Sequence, residues 1–449
     1  MKYLIIAILI LVGPVALENI TSLTLGSSVS AAEKKKQKRR VAPLKERTYK
    51  VLAEAQALID PDSVQYDEGK KPEVLPKADP AAAIKLLERL LGRRGNSPYE
   101  IAQIWNTKAF AYYILEDTPN TIKAYESVLK LPQMEISLGL ELSAVRALFQ
   151  LYYAGEQYQK AIDYMNRWEV LNDRPDTNVA FIKASAYYEL EQFHKSLAQV
   201  KVVEEFTVLL EKEMKENWLY LYVVLYNELK DYDNVIKVLE RMVVEFPKKQ
   251  YWMHLAGMYA EKDWEDKALS AYYAAYIQGM FAKESEVVML SQRLLNASVP
   301  IEAASILEKG FEEELVEKNE KNIRILATAY TMAQEHSKAI DTWKQATQYA
   351  EDGEVFYRLA QALANEDRHK EASNAYQSAL DAGDLKSEED VQFWMGISLM
   401  QTQDWSDATK AFRAAAKDKS KAKSSRQYIR YINSEKKRLA ALKEMVEGD

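Results

Sequence analysis

The stretch that decides the fold is Trp252-Met253-His254-Leu255-Ala256-Gly257-Met258-Tyr259-Ala260-Glu261-Lys262-Asp263-Trp264-Glu265-Asp266-Lys267-Ala268-Leu269-Ser270-Ala271-Tyr272-Tyr273-Ala274-Ala275. Trp252, Leu255, Ala256 and Tyr259 fall at i, i+3, i+4 and i+7, which places them on one stripe of an α-helix. Ala268, Tyr272 and Ala275 follow at i, i+4 and i+7 on a second helix. Their small side chains let two helices approach closely, and the ring fills the groove between them. The spacing predicts two antiparallel helices whose stripes bury each other, with no cofactor implied.

The same spacing returns along the chain. The small residue that opens each second helix marks the register: Ala83, Thr121, Ala161, Ser196, Val235, Ala268, Ala303, Ala339, Ala372 and Ala408. Successive intervals are 38, 40, 35, 39, 33, 35, 36, 33 and 36 residues. They cluster about a 34-residue period with additions that belong in turns, so the chain resembles the tetratricopeptide repeat family. The stripes Ile323/Leu326/Ala327/Tyr330 before Ala339, Phe356/Leu359/Ala360/Leu363 before Ala372, and Met395/Gly396/Leu399 before Ala408 keep the register. The expected fold is all-α, with about nine or ten helix pairs and a basic capping helix; the resemblance implies a right-handed superhelical solenoid.

Composition agrees. Only 14 Gly and 12 Pro punctuate 449 residues, too few for many strands and turns. Hydrophobic residues at 48% and charged residues at 28% supply both a large core and a solvated helix surface. A net charge of -7 gives no global attraction to nucleic acid. The absence of cysteine removes disulfides, thiolate metal sites and a cysteine nucleophile.

The apolar run from Tyr3 to Leu17 after Lys2 is short for a membrane span and is followed by small residues at Val29 to Ala32, so 1–31 reads as a cleaved signal peptide. That makes the product periplasmic; retention as an inner-membrane anchor is the alternative. Residues 32–45 form a basic, flexible arm (Lys34, Lys35, Lys36, Lys38, Arg39, Arg40) open to peripheral contact with anionic lipid. An irregular helix pair with a long loop occupies 46–94, the repeats 95–420, and the capping helix and tail 421–449.

Catalysis finds no foothold in the residues. His194, His254, His336 and His369 lie in different repeats without metal-ligand spacing, and neither a Gly-rich phosphate loop nor a nucleophile or zinc motif occurs. Glu312, Glu313 and Glu314 point about 100° apart on a helix and read as a solvated face. No enzyme, cofactor, metal or nucleic-acid partner is expected.

Recognition fits better, because a solenoid presents an extended concave surface. The resemblance places the groove one residue beyond the buried tyrosine: Tyr113, Tyr153 and Tyr188, following Tyr112, Tyr152 and Tyr187, are its candidates. Asn106, Arg146, Phe181 and Tyr220 form a second row, and Asn227, Arg324 and Tyr357 continue the lining. The family's Lys and Asn peptide clamp is not reproduced. Two stretches, Ala111 to Asn120 and Glu141 to Tyr153, are similar to the periplasmic tetratricopeptide accessory proteins, of the TtpC type, that accompany TonB systems in marine gammaproteobacteria. That resemblance implies an adaptor bound to TonB, ExbB and ExbD in siderophore or haem uptake. A general envelope assembly scaffold for a pilus, secretion or peptidoglycan machine is the other reading, and a small-ligand carrier a third.

Overall fold

The computed structural model describes Arg39, residues 41–63 and residues 76–447. The expected signal peptide, most of the expected basic arm and residues 64–75 of the expected long loop, with Gly69 and Pro72, lie outside them. The chain divides into two compact units at Val235/Ile236. The first holds α1 (Glu46–Ile59), α2 (Pro80–Leu91), α3 (Pro98–Ile114), α4 (Thr118–Leu129), α5 (Leu138–Ala154), α6 (Tyr158–Leu171), α7 (Thr177–Glu189), α8 (Phe193–Leu209), α9 (Glu216–Glu228) and the start of α10 (Tyr232–Glu245). The second holds the rest of α10, then α11 (Lys249–Glu261), α12 (Glu265–Ile277), α13 (Glu284–Asn296), α14 (Pro300–Glu312), α15 (Glu320–Met332), α16 (His336–Ala346), α17 (Gly353–Asn365), α18 (His369–Ala382), α19 (Glu388–Gln401), α20 (Trp405–Ala415) and α21 (Lys419–Glu447). No strand occurs among the described residues. Among the described residues α1 to α20 follow one another as ten helix pairs, so the chain is an all-α repeat solenoid.

The register read from the sequence is the register of the fold. Each of the ten marker residues, Ala83 through Ala408, is no more than 2% exposed. The turns repeat it independently. Glu116, Glu156, Glu191, Lys230, Asp263, Ser298, Gln334, Asp367 and Gln403 all have positive φ, and each stands five residues before its marker. The next residue donates its N–H back into the first helix, as Gln157 does to the Tyr152 carbonyl (2.8 Å) and Trp264 to that of Tyr259 (2.9 Å). These are left-handed helix caps, a place that glycine usually takes. A side chain there costs about 1 kcal/mol, so Glu156→Gly is expected to stabilise the first unit by about 0.5 kcal/mol once glycine's unfolded-state entropy is deducted. A lower urea midpoint for that variant would contradict the strain.

Consecutive repeats are tied by a buried tyrosine on the first helix. Tyr152 on α5 donates to Glu126 on α4 at 2.6 Å, and Tyr259 on α11 donates to Glu240 on α10 at 2.7 Å. In both ties the tyrosine stands nine residues before one marker and the glutamate five residues after the preceding marker. Tyr330, faced by Glu308, occupies the same register.

Of the residues expected to form the basic arm, Arg39 and Lys45 make specific contacts. Arg39 donates to Glu141 at 2.6 Å and to the Ile136 carbonyl at 3.2 Å, while Arg167 reaches the same fully buried carboxylate from α6 at 2.6 Å. Glu100, also fully buried, closes a capping box with Ser97 on α3 and accepts from the Lys45 N–H (3.2 Å) and the Thr48 hydroxyl (2.6 Å). Burial alone would raise the pKa of Glu100, but these hydrogen bonds outweigh it and hold the group at about 2. The described end of the arm is therefore fastened to the N-termini of α3 and α5.

Candidate protein-binding groove

In the second unit the first helices α15, α17 and α19 line an open groove of about 820 Å³. Its shape follows from close backbone packing beneath it. The Gly353 N–H donates to the Gly383 carbonyl at 2.8 Å, and a Cβ on Gly353 would stand 2.2 Å from the Ala379 carbonyl oxygen. Gly396 does the same service on α19, where the Phe412 ring lies 3.0 Å from the position a Cβ would take. Only a bare backbone lets each first helix sit this far down on its partner, which leaves its opposite face open.

The first helices supply most of the groove's side chains, with Trp343 of α16, His369 and Tyr376 of α18 and the loop residues Asp352, Asp384 and Lys386 completing it. Arg324, Thr328, Thr331 and Met332 line it from α15; Arg358, Gln361, Ala364 and Asn365 from α17; Trp394, Ile397 and Ser398 from α19. Thr328, Gln361 and Ile397 each stand eleven residues before their marker, so the groove is itself a repeat feature. A second, shallower hollow beside it shares Arg324 and Thr328 and extends to Gln292 and Leu295 on α13.

Charges in the groove are arranged in pairs. Arg324 bridges Glu320 (2.8 Å) and Asp352 (3.4 Å), tying α15 to the residue that caps α17. Burial opposes its charged form, but the two carboxylates raise its pKa above the ordinary arginine value. Arg358 pairs with Glu354 at 2.9 Å. Trp343 donates its indole N–H to Thr331 at 3.1 Å. Two polar atoms remain without a protein partner: the Ser398 hydroxyl, on a residue 1% exposed, and Nδ1 of His369. Trp394 is 43% exposed and meets Phe393 edge-on at 5.6 Å. The arrangement offers a flat apolar ring, hydroxyl and amide groups, and charges of both signs.

The residues singled out from the sequence meet different fates. Arg324 lines the groove. Tyr357 packs against Tyr376, ring centroids 6.0 Å apart, at the groove's back. The other eight lie in the first unit. Arg146 is exposed and lies over the Trp168 ring at 5.7 Å, and Asn227 is exposed. Asn106, Tyr113 and Tyr220 are half-buried. Phe181 is corrected: it is 8% exposed and packed against Trp218 of α9 at 6.0 Å. The second tyrosines do not stand free either. Tyr153 lies edge-on to Tyr158 at 5.4 Å, its hydroxyl pushed up to about 12 by burial and by Glu189, and Tyr188 packs on Phe193 at 5.7 Å. Of the first tyrosines, Tyr152 is buried whereas Tyr112 and Tyr187 are half-buried.

No protein-family model and no curated protein matches the chain. Among solved structures, MamA is 19% identical, with 38% of this chain and 97% of that one covered at a TM-score of 0.33. A tetratricopeptide repeat protein from Parabacteroides merdae is 12% identical, with 64% and 99% covered at a TM-score of 0.34. YrrB, a TPR protein with an unusual peptide-binding site, is 15% identical, with 39% and 90% covered at a TM-score of 0.32. The fold itself rests on the chain's own register of buried markers and left-handed turns.

Trp394, Gln361 and Asn365 were missed as lining residues. For Gln361 and Asn365 the signal was available in the period, since they stand eleven and seven residues before Ala372 on the face of Thr328 and Met332; Trp394 stands fourteen before Ala408, the place that Arg358 holds before Ala372. Among the described residues no cluster of His, Cys, Asp or Glu is placed to hold a metal, and no helix is long and apolar enough to cross a membrane.

Proposed function

We propose that the chain is a non-catalytic adaptor of the bacterial periplasm that holds extended segments of protein partners in the groove of α15, α17 and α19. The observation that carries the reading is that groove: three first helices present one face in register, with an exposed indole and unpartnered polar atoms beside paired charges. The similarity of Ala111 to Asn120 and Glu141 to Tyr153 to accessory proteins of TonB systems supports TonB, ExbB and ExbD as partners, in uptake of siderophore or haem iron. The signal-like N-terminus supports the compartment.

A photo-crosslinking residue at position 394 in living cells tests this. Adducts with TonB, ExbB or ExbD are expected from position 394 and not from Asn374, an exposed position on the second helix α18. Trp394→Ala should weaken capture about thirtyfold, the ordinary loss for an interface tryptophan. Equal adducts from both positions would remove the groove. If deletion of the protein leaves growth on siderophore or haem iron unchanged, the transport role falls and the general envelope scaffold replaces it.

A further inference from the structure

The groove passes through a place that earlier repeats fill with a ring. Tyr113, Tyr153 and Tyr188 stand eight residues before their markers on α3, α5 and α7. Two of them meet a second ring that stands three residues before the marker: Tyr153 meets Tyr158 at 5.4 Å, and Tyr188 meets Phe193 at 5.7 Å. The Tyr153 hydroxyl also reaches the side chain of Ser185 on the next first helix, α7, eleven residues before the marker Ser196. One ring thus spans from its own helix pair to the following one and fills the space between.

On α17 the same place holds Ala364, and the residue three before the marker is His369. The residue eleven before the next marker, in the position of Ser185, is Ile397 of α19. All three line the groove. A methyl group therefore stands where Tyr153 and Tyr188 put a ring, and the imidazole, 17% exposed, stands where the second ring would be. The flanking repeats keep this place occupied. Thr331 holds it on α15 and accepts from the Trp343 indole, while Met400 holds it on α19 and packs with Trp405 on the last core cluster. Ala260 on α11 is another alanine at this register, and there Glu265 crosses to Arg293 of α13 at 3.8 Å.

The seat at Ala364 is apolar and aromatic, and the chain's own repeats show the shape that such a place accepts. An incoming ring would displace water from Ala364 and Ile397 and meet His369 edge-on or offset, the geometries that ring pairs favour. A polar side chain would give up its water for little return, because Ile397 offers no hydroxyl where Ser185 offers one to Tyr153. We propose, on the reading that α15, α17 and α19 form the binding face, that the groove selects an aromatic side chain of the bound segment, phenylalanine above all. The ring sits against Ala364, His369 and Ile397, as Tyr153 sits in its own repeat.

Methyl NMR on the full chain tests this with N-acetyl-phenylalaninamide as the probe. The Ala364 and Ile397 methyl resonances are expected to shift, and N-acetyl-asparaginamide to bind at least about tenfold more weakly. Ala364→Tyr restores the chain's own ring and should weaken the probe, read at Ile397, at least about tenfold. Its melting temperature should not fall, since α3, α5 and α7 carry a tyrosine at this register. His369→Ala leaves the seat open but removes its second ring, and should weaken the probe about fivefold. The proposal is overturned by absent shifts at Ala364 and Ile397, by equal binding of the asparagine probe, or by variants that bind as the parent does. Lowered melting of Ala364→Tyr, which would mean that no ring fits, overturns it as well. In cells, Ala364→Tyr should also reduce the adducts formed from position 394; undiminished adducts remove the seat and leave the groove standing. If position 394 of the parent chain forms no adducts, the groove reading falls by itself, and the probe decides the seat separately.

Discussion

Gly353→Ala is expected to cost the second unit about 3 kcal/mol or more, from a single added methyl group. Its Cβ would lie 2.2 Å from the Ala379 carbonyl oxygen and 2.6 Å from that of Gly383, both backbone atoms at the end of α18 that no rotamer change can move. To relieve the contact α17 must lift off α18, breaking the 2.8 Å bond from the Gly353 N–H to the Gly383 carbonyl. Since α17 forms the middle of the groove, partner capture should fall together with stability. Gly257→Ala in α11 is the control: nothing lies within 4 Å of its Cβ, and removing a helical glycine there should stabilise by about 0.5–1 kcal/mol. Chemical denaturation of both variants decides the matter. Equal midpoints would mean that α17 seats itself without the bare backbone at 353.

Glu141→Ala is expected to cost the first unit about 3–5 kcal/mol, the usual consequence of breaking a buried, multiply bonded ion pair. The carboxylate is fully buried and is reached by Arg39, Arg167 and Gln133, which come from the N-terminal segment, α6 and the turn before α5. Removing it unfastens all three at once. Arg39→Ala should cost less, because Arg167 still satisfies the acid. The same site makes a pH prediction. Burial raises the pKa of Glu141, but the bonds from Arg167, Arg39 and Gln133 outweigh it and leave the group below its ordinary 4.5. A carboxylate with a depressed folded pKa stabilises above its unfolded value and loses that contribution as pH falls through the folded one. Glu100, held at about 2, acts in the same direction. Hydrogen-exchange protection of α3 to α6 should therefore decline as pH falls from about 4.5 toward 2, and the decline should be shallower in Glu141→Ala. A variant as protected as the parent at neutral pH would show that the cluster adds nothing to folding.

The N-terminal fastening was illegible in the sequence for a plain reason. Glu141 and Arg39 are 102 residues apart, and a basic run without apolar periodicity looks the same whether it is solvated or seated on a carboxylate. The capping box of Ser97 and Glu100 is local, whereas the use of that same carboxylate by Lys45 and Thr48 is not. Groove residues were legible only in part. Arg324 came out of the repeat register, but Phe181, at the same place before its marker, and Tyr153 and Tyr188, eight residues before theirs, are consumed by ring packing against Trp218, Tyr158 and Phe193. Periodicity assigns a face to a residue; the size of the neighbour across that face decides whether the residue is covered.

The sequence by itself determined that the chain is a helical repeat array, where each pair begins, and which small residues lie at the helix crossings. Those features depend on side-chain size at intervals of three, four and about 34 residues, and such intervals are written in one dimension. Tertiary structure alone decided which first helices open a groove, that Gly353 and Gly396 are bare because a carbonyl and a ring approach them, and that Arg39 closes a buried charge cluster. Each of these depends on what stands opposite a residue in space, and for groups separated by tens of residues no periodicity encodes that partner.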